Sequence, residues 1–411
     1  MLHSFPPASR GGTESYVEQL AQTQREESIQ VTIFAGTERG HPSTEPDPSR
    51  SRTDEPVWAE EFIGGLRVLR LRPWLRDLDH AVRNSDLGEN FVEMMRHEKF
   101  DLLHIHHWHN TTSDLVARAT MAGIPTVVTL HDFHAICPWS FRMRDDKICA
   151  TDVARETCIE CVAERIGDSR SDVKIILRER EGVFRTELEH AGALLTLSAS
   201  QMRYLQQVPS LSGLEFKLLS LPRPELRPHP SCRREGDILR IVSWGGLVAG
   251  KGMQVLLDAC ELLSEPVELH HYGRVIDFDF SERLRGTARQ TRLTLHGTFD
   301  TAVMQREFPC YDLAVFPSLF LETHGFVIDE AMLLGLPVVT SDRGAPVERI
   351  GDRGVSFPGG DTKALTTVIE GFLAEPTALD ALRNAAMPPA KSMADHWSEL
   401  RAVYDCVLKT V

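Results

Sequence analysis

Glu322 and Glu330 stand eight residues apart in LETHGFVIDEAMLLGLPVVTSDRG (321–344), on either side of Gly325. On one continuous helix that spacing separates them by about 12 Å along the axis. Placing the first on the preceding loop leaves them similarly remote. Glycosidase carboxylates instead work as a pair roughly 5–9.5 Å apart across one bond. These two glutamates therefore suit a grip on opposite ends of one elongated ligand. Between them the amides of Gly325, Phe326 and Val327 would open a helix, and a helix N-terminus favours a phosphate or another anion. A nucleotide diphosphate sugar has this layout, with ribose at one end, phosphates in the middle and sugar at the other. The plainer alternative is that Glu322 caps the helix and Glu330 is a solvated charge.

A second element is WGGLVAGKGMQVLL (244–257), a strand end, a glycine-rich turn and a helix start. Gly245, Gly250 and Lys251 follow a Walker A loop up to its last position, where Gly252 replaces the hydroxyl that would hold Mg²⁺. The P-loop reading therefore fails. What survives is a turn that delivers Lys251 towards a phosphate, or a plain turn with an exposed lysine. HIHHWH (104–109) would place His104 and His106 on one strand face and His107 and His109 on the other. That alternation opposes a four-histidine metal site and leaves His106 or His109 to line an acceptor pocket. Cys137, Cys149, Cys158 and Cys161 are spaced C-x11-C-x8-C-x2-C in a loop-like segment. Clustered thiolates in a reducing compartment suggest a structural zinc site, against four reduced, partly buried cysteines. The tripeptides Asp77-Leu78-Asp79 and Asp277-Phe278-Asp279 read as surface residues.

These groups need a scaffold. The chain has 411 residues, 42% hydrophobic and 25% charged, which fits a globular protein of two domains. A net charge of −14 opposes binding to nucleic acid, whose partners present a basic face. No apolar run approaches the roughly 20 residues of a membrane span, and MLHSFPPASRGG has no secretory pattern. The cytoplasm is the expected compartment, and its reducing poise argues against disulfides. VTIFAG, LRVLRL, FDLLHIHH, PTVVTLHD and ALLTLS alternate with helical stretches, as do ILRIVSW, VELHHYG, RLTLHG, LAVFPS, PVVTSD and GVSFP. Such alternation predicts two doubly wound α/β sheets. The expected boundaries are residues 1–222, a proline-rich linker over 223–237, 238–390, and a C-terminal helix over 391–411 that packs back on a domain. Residues 37–56 read as a loop. The first strand should precede PPASRGG, where only Met1 to Phe5 are available, so the chain reads as starting late. Two domains of this kind face a cleft, with the carboxyl ends of the strands as the binding edges.

Taken together, GGLVAGKG, LHGTF, DLAVFPS and ETHGFVIDEAMLLGLPVVTSDRGAPVERI resemble the retaining glycosyltransferases of the GT-B fold, family 4 (group 1). PPASRGGTESYVEQLA and VVTLHDFH resemble the first-domain signatures. The resemblance spans roughly residues 5 to 385 and implies two Rossmann-like domains. It implies that Glu322 contacts the sugar hydroxyls and Glu330 the donor ribose. The amides near Gly325, Phe326 and Val327 would hold the phosphates, and Lys251 would neutralise the departing diphosphate. Thr298 lies in the stretch that resembles the strand end meeting the base. His131 matches a histidine near the reacting centre, although from residues alone a core histidine at a strand end is the better reading. Gly12, with Gly11, would let backbone approach a ligand, or simply form a turn. His324 stands where phenylalanine is commoner. Gly246 replaces the arginine expected beside Lys251, and Arg274 and Arg223 are candidate substitutes.

The implied activity is transfer from a UDP- or GDP-sugar to a glycan, lipid-linked or small-molecule acceptor, without a catalytic metal or cofactor. A lipid-linked acceptor would bring the protein to the membrane periphery. The missing arginine keeps open a degenerate protein that binds without turnover. A third reading is phosphorolysis or epimerisation on the same fold; a phosphorylase of that type would reveal itself by the absorbance of pyridoxal phosphate.

Overall fold

The structure, a computed structural model, describes residues 1–7, 11–36, 58–71, 85–145, 147–227, 238–385 and 391–409. The expected loop over 37–56, Asp77 and Asp79, and linker residues 228–237 lie outside this set. In chain order the first elements are α1 (Gly12–Glu26), β1 (Thr32–Ala35), β2 (Trp58–Ile63), β3 (Leu66–Leu71), α2 (Ser85–Glu98), β4 (Leu103–Ile105), α3 (Leu115–Met121) and β5 (Thr126–Leu130). A small hairpin, β6 (Met143–Arg144) and β7 (Lys147–Ile148), precedes α4 (Arg155–Ile166), α5 (Arg170–His190), β8 (Ala193–Thr196), α6 (Ala199–Gln206) and β9 (Phe216–Leu218).

Next come β10 (Arg240–Trp244), α7 (Met253–Glu261), β11 (Glu268–Tyr272), α8 (Phe278–Thr287), β12 (Arg292–Gly297), α9 (Thr301–Glu307) and β13 (Leu313–Phe316). The chain closes with α10 (Phe326–Leu333), β14 (Val338–Ser341), α11 (Ala345–Ile350), β15 (Val355–Phe357), α12 (Thr362–Ala374), α13 (Thr377–Ala385) and α14 (Met393–Leu408). Two compact units result. The first holds residues 1–141, 150–221 and 392–411, and the second holds 142–149 and 222–391.

Besides the β6–β7 hairpin, the second unit holds a parallel sheet of six strands in the order β12-β11-β10-β13-β14-β15. The order reverses between β10 and β13, so the loops that leave these two strands share the crevice where ligands bind in such sheets. β13 and β14 are buried at every position, as strands covered on both faces must be. Edge strand β12 alternates between exposed and half-buried residues. α7 packs through Met253, Leu256, Leu257 and Cys260, the i, i+3, i+4, i+7 stripe of an amphipathic helix, onto Ile241, Leu269 and Leu313.

In the first unit β4-β5-β8-β9 form a parallel sheet, and β1-β3-β2 form another in which β2 runs antiparallel. The first residues of the chain join them. Leu2 N donates to Phe34 O and Gly36 N to Leu2 O (both 3.0 Å), while His106 N donates to Met1 O (2.8 Å). Met1 to Ser4 thus fill the place of the expected first strand, between β1 and β4. α14 packs on α1 and belongs to this unit.

Two sequence expectations change. β4 ends at Ile105, so His106 to His109 form a loop rather than continuing the strand. The cysteine-rich segment is not wholly a loop, because Cys158 and Cys161 lie on α4. That helix is held by Ile159 and Val162 against Val173 of α5. Among the described residues, no group of three or more His, Cys, Asp or Glu side chains is arranged to hold a metal ion. Cys137, Cys149, Cys158 and Cys161 are each half-buried. Cys310, by contrast, is disulfide-bonded, against the expectation of reduced cysteines.

Candidate active site

Glu322 sits on the loop between β13 and α10, and its backbone is fixed from both sides. Its N–H donates to Arg343 O (3.0 Å), and its carbonyl accepts from Ala345 N (2.9 Å). The carboxylate then reaches Lys251, with Nζ 2.6 Å from Oε1, and the same oxygen accepts from Ser318 Oγ (2.7 Å). Burial alone would push this carboxyl up. Lys251 and the Ser318 hydroxyl more than offset it and hold the group below its ordinary range. Glu322 is therefore not the helix cap of the plainer reading. The cap position belongs to Gly325, in the left-handed region at φ +81°.

Lys251 is placed by a turn that tolerates almost no side chain. A Cβ on Gly250 would lie 2.0 Å from the Phe320 ring, and one on Gly252 (φ +75°) would lie 1.9 Å from Pro317 O. The glycines let the β10–α7 turn press against the loop that carries Glu322, so the ammonium and the carboxylate meet. Lys251 keeps 43% of its side-chain surface exposed, and its Nζ also lies 5.8 Å from the centre of the Phe320 ring.

Glu330 lies on α10, one turn inside the helix, and is not solvated. Trp244 Nε1, at the end of β10, donates to its Oε2 at 2.6 Å. Burial pushes the Glu330 carboxyl up to about 7, the neighbouring Asp329 charge adds to the rise, and the indole donor opposes it. Trp244 is itself fixed by Phe308 and Phe316, with ring centroids 4.8 and 4.6 Å away. Asp329, fully buried, faces the opposite way. It takes a two-pronged contact from Arg349 of α11, and His324 Nε2 lies 3.4 Å from its Oδ2. This ion pair pins α10 to α11. His324 is a buried support, with its pKa lowered first by burial, and its ring packs 4.6 Å from Phe326. Phe326 and Val327, which open α10 between the two glutamates in the chain, are half-buried, and first-turn amides have no partner within their own helix.

Gly246 is half-exposed on the same turn, and an added Cβ there would meet the tip of Ile276 at 2.8 Å. Arg274 is exposed, and its carbonyl accepts from Leu247 N (2.9 Å), so its backbone runs beside the turn. Arg223 is exposed and bonded through its backbone to Lys391. Thr298 is exposed just beyond β12. Asp277 caps α8 by accepting from Phe280 N (2.9 Å), and Asp279 is exposed.

In the first unit Gly12 opens α1 behind the cap residue Gly11, whose N–H donates to Glu14 Oε2 (3.1 Å). His131, at the end of β5, is brought to His106, with 3.0 Å between His131 Nε2 and His106 Nδ1. His109 is exposed and does not join them. His107 instead pairs with Asp132 (3.0 Å). Sequence reasoning passed over Ser318, Trp244 and Asp329. Trp244 had the best signal, since it directly precedes the glycine turn.

The glycosyltransferase models match both halves of the chain. "Glycosyltransferase Family 4" matches residues 10–209, and "Glycosyl transferases group 1" matches residues 239–375. The chain is similar to D-inositol 3-phosphate glycosyltransferase 1 of Catenulispora acidiphila, at 26% identity over 96% of this chain and 90% of that protein. It is also similar to the phosphatidyl-myo-inositol mannosyltransferase of Mycobacterium leprae, at 34% identity over 30% of this chain and 34% of that protein. Among solved structures, sucrose-phosphate synthase of Thermosynechococcus elongatus superposes with a TM-score of 0.68 at 17% identity, covering 100% and 99% of the two chains. The catalytic domain of starch synthase IV of Arabidopsis thaliana, bound to ADP and acarbose, gives 0.62 at 14% identity, covering 99% and 98%. These likenesses establish the GT-B fold. No helix among the described residues is long and apolar enough to cross a membrane.

Proposed function

Since the chain belongs to the family 4, group 1 glycosyltransferases, we propose that it moves a sugar from a nucleotide-sugar donor to an acceptor with retention of configuration. One observation carries this reading. Lys251 pairs with Glu322 and Trp244 with Glu330, and in the chain these two glutamates flank the amides that open α10. That arrangement suits a molecule with an anionic middle and a hydroxyl-bearing group at each end. The α10 amides and Lys251 would take the diphosphate, Glu330 the ribose and Glu322 the sugar. Neither glutamate is placed as a general base, because one is paired with an ammonium and the other with an indole. The departing phosphate would then accept the proton of the acceptor hydroxyl on the face it leaves. Catalysis would rest on positioning and on cationic stabilisation of the leaving group. His131 of the first unit would orient the transferred sugar or the acceptor.

The acceptors named for the two curated relatives, an inositol phosphate and a phosphatidylinositol, make a polyol phosphate, free or lipid-linked, the first class to try. Thermal-shift measurements with UDP, GDP, ADP and TDP and their common sugars test the donor side. A ligand at about 100 times its dissociation constant adds roughly 2.7 kcal/mol, a visible rise in midpoint. The expected result is a shift with one base that Glu330→Ala reduces. No shift with any nucleotide would overturn the reading. Retention is checked by the anomeric proton coupling of donor and product. Gly246 supports a second reading, since the turn carries no second cation there and Ile276 occupies the adjacent space. In that case the protein binds a nucleotide sugar without transfer or hydrolysis.

A further inference from the structure

Trp244 ends β10, one of the two strands between which the order of the second sheet reverses, and lies in register with Tyr272 of β11. Its side chain is buried. Phe316 meets the indole edge to face at 4.6 Å, and Phe308 lies tilted against it at 4.8 Å. A buried bicyclic ring wedged between two phenyl groups on a central strand keeps one orientation, so its N–H points one way. That N–H is aimed at Glu330 Oε2, 2.6 Å away.

An indole nitrogen only donates, so the direction of this bond holds whether Glu330 is ionised or protonated. Oε2 is the acceptor. Oε1 has no donor among the described residues, and it is not sealed from solvent. An ionised carboxylate only accepts, so the free oxygen suits a hydroxyl. The helix that carries Glu330 is held independently of the indole. α10 packs on β13, β14 and α11. Neither strand has a charged side chain; α11 has Glu348 and Arg349, and Arg349 is engaged by Asp329. Asp329 is the charged neighbour that adds to the raised pKa of Glu330, and the indole is the group that opposes it. With one oxygen tied to a rigid donor, the carboxylate cannot turn about its last bond, and the other oxygen has a single place.

We propose that Trp244 is a positioning residue for Glu330, holding Oε2 so that Oε1 is presented to a ribose hydroxyl of the donor nucleotide. This rests on the reading of Glu330 as the ribose group. Partners that orient a ligating side chain at metal centres are worth 10–100-fold, so a loss of about tenfold in nucleotide affinity is expected without the indole N–H.

The contact itself is tested without any ligand. In the full chain, ¹⁵N-labelled tryptophan gives six indole signals, and the one absent from Trp244→Phe belongs to Trp244. It should titrate with a midpoint near pH 7 as Glu330 ionises, and Glu330→Gln should abolish that titration. A Trp244 signal that is flat from pH 4 to 9 would overturn the proposal.

Binding is measured by calorimetry at pH 8, with whichever nucleoside diphosphate raises the midpoint in the donor panel. Trp244→Phe should weaken it about tenfold. The deciding comparison is the double variant. If the indole acts through the carboxylate, adding Trp244→Phe to Glu330→Ala should change the affinity by about twofold or less. The same tenfold loss in both backgrounds would mean that the ring only supports the surrounding fold, and the proposal fails. Should Trp244→Phe not fold, 3-benzothienylalanine at position 244 keeps the bicyclic ring and lacks only the N–H, and the same outcomes apply. Affinity lost in Glu330→Ala and kept without the N–H overturns the role of Trp244 alone. Affinity kept in Glu330→Ala, or no nucleotide bound by the wild type, overturns the ribose reading and the proposal with it.

Discussion

Two glutamates, one in each unit, are driven by burial to the same raised pKa of about 7, and they differ in the number of donors that face them. Glu187 of α5 is fully buried and accepts from Trp108 Nε1 (3.0 Å), Val116 N (2.8 Å) and Ala117 N (2.8 Å). It caps α3 from outside, supplying the acceptor that the first-turn amides lack. Glu330 is half-buried and meets one donor, Trp244. A carboxylate has room for about four hydrogen bonds. The saturated one holds a fold together, and the undersupplied one has acceptor sites left over.

Removing the saturated group should do the most damage. Glu187→Ala leaves three donors unmet, two of them buried, and opens a cavity. A loss of about 4 kcal/mol in a denaturant titration is expected. A loss under about 1 kcal/mol would erase the contrast between the two glutamates.

The undersupplied group should behave in the opposite sense. Burial raises the folded pKa of Glu330 from its ordinary 4.5 to about 7. Between those values the folded state binds more protons than the unfolded one, so this group's contribution to stability falls as pH rises through that window. Glu330→Gln keeps an acceptor for Trp244 and removes the buried charge. It should be more stable than wild type above pH 7, by up to about 3 kcal/mol, with the gain fading towards pH 4.5. Unfolding midpoints at pH 5 and pH 8 measure it, and equal gains at both would contradict the assignment.

The smallest effect concerns Lys251, whose ammonium lies 2.6 Å from the negative charge of Glu322, a charge that would repel the diphosphate proposed to bind there. Glu322→Gln should therefore tighten binding of a free nucleoside diphosphate, while weakening the preference for the sugar-bearing form. The pair is partly exposed and screened by water, so roughly two- to fivefold is expected in a calorimetric titration. Weaker binding would show that Glu322 supports the diphosphate directly.

The second unit was legible strand by strand. Its six predicted runs are the six strands of the sheet, because parallel strands buried on both faces are short, β-branched and flanked by glycine turns. The first unit was harder. β2 follows Trp58–Ile63, where exposed and buried residues mix, and its antiparallel pairing with β3 breaks the strand–helix rhythm. α4 hid inside a segment read for its cysteines, although Ile159 and Val162 carry helical spacing. At the site, the residues marked by glycines (Lys251, Glu322 and Glu330) were visible. The pairings were not, since Trp244 meets Glu330 across 86 positions and His106 meets His131 across 25. Pairings of that range are set by strand order, which spacing along the chain does not encode.

The last helix gives the unit its order of assembly. α14 brings His396 and Tyr404 to Tyr16 and His104. A ribosome therefore releases the entire second unit before it delivers the residues that finish the first. A chimera that exchanges the second unit between relatives has to make four cuts rather than one, keeping α14 from the parent that supplies α1.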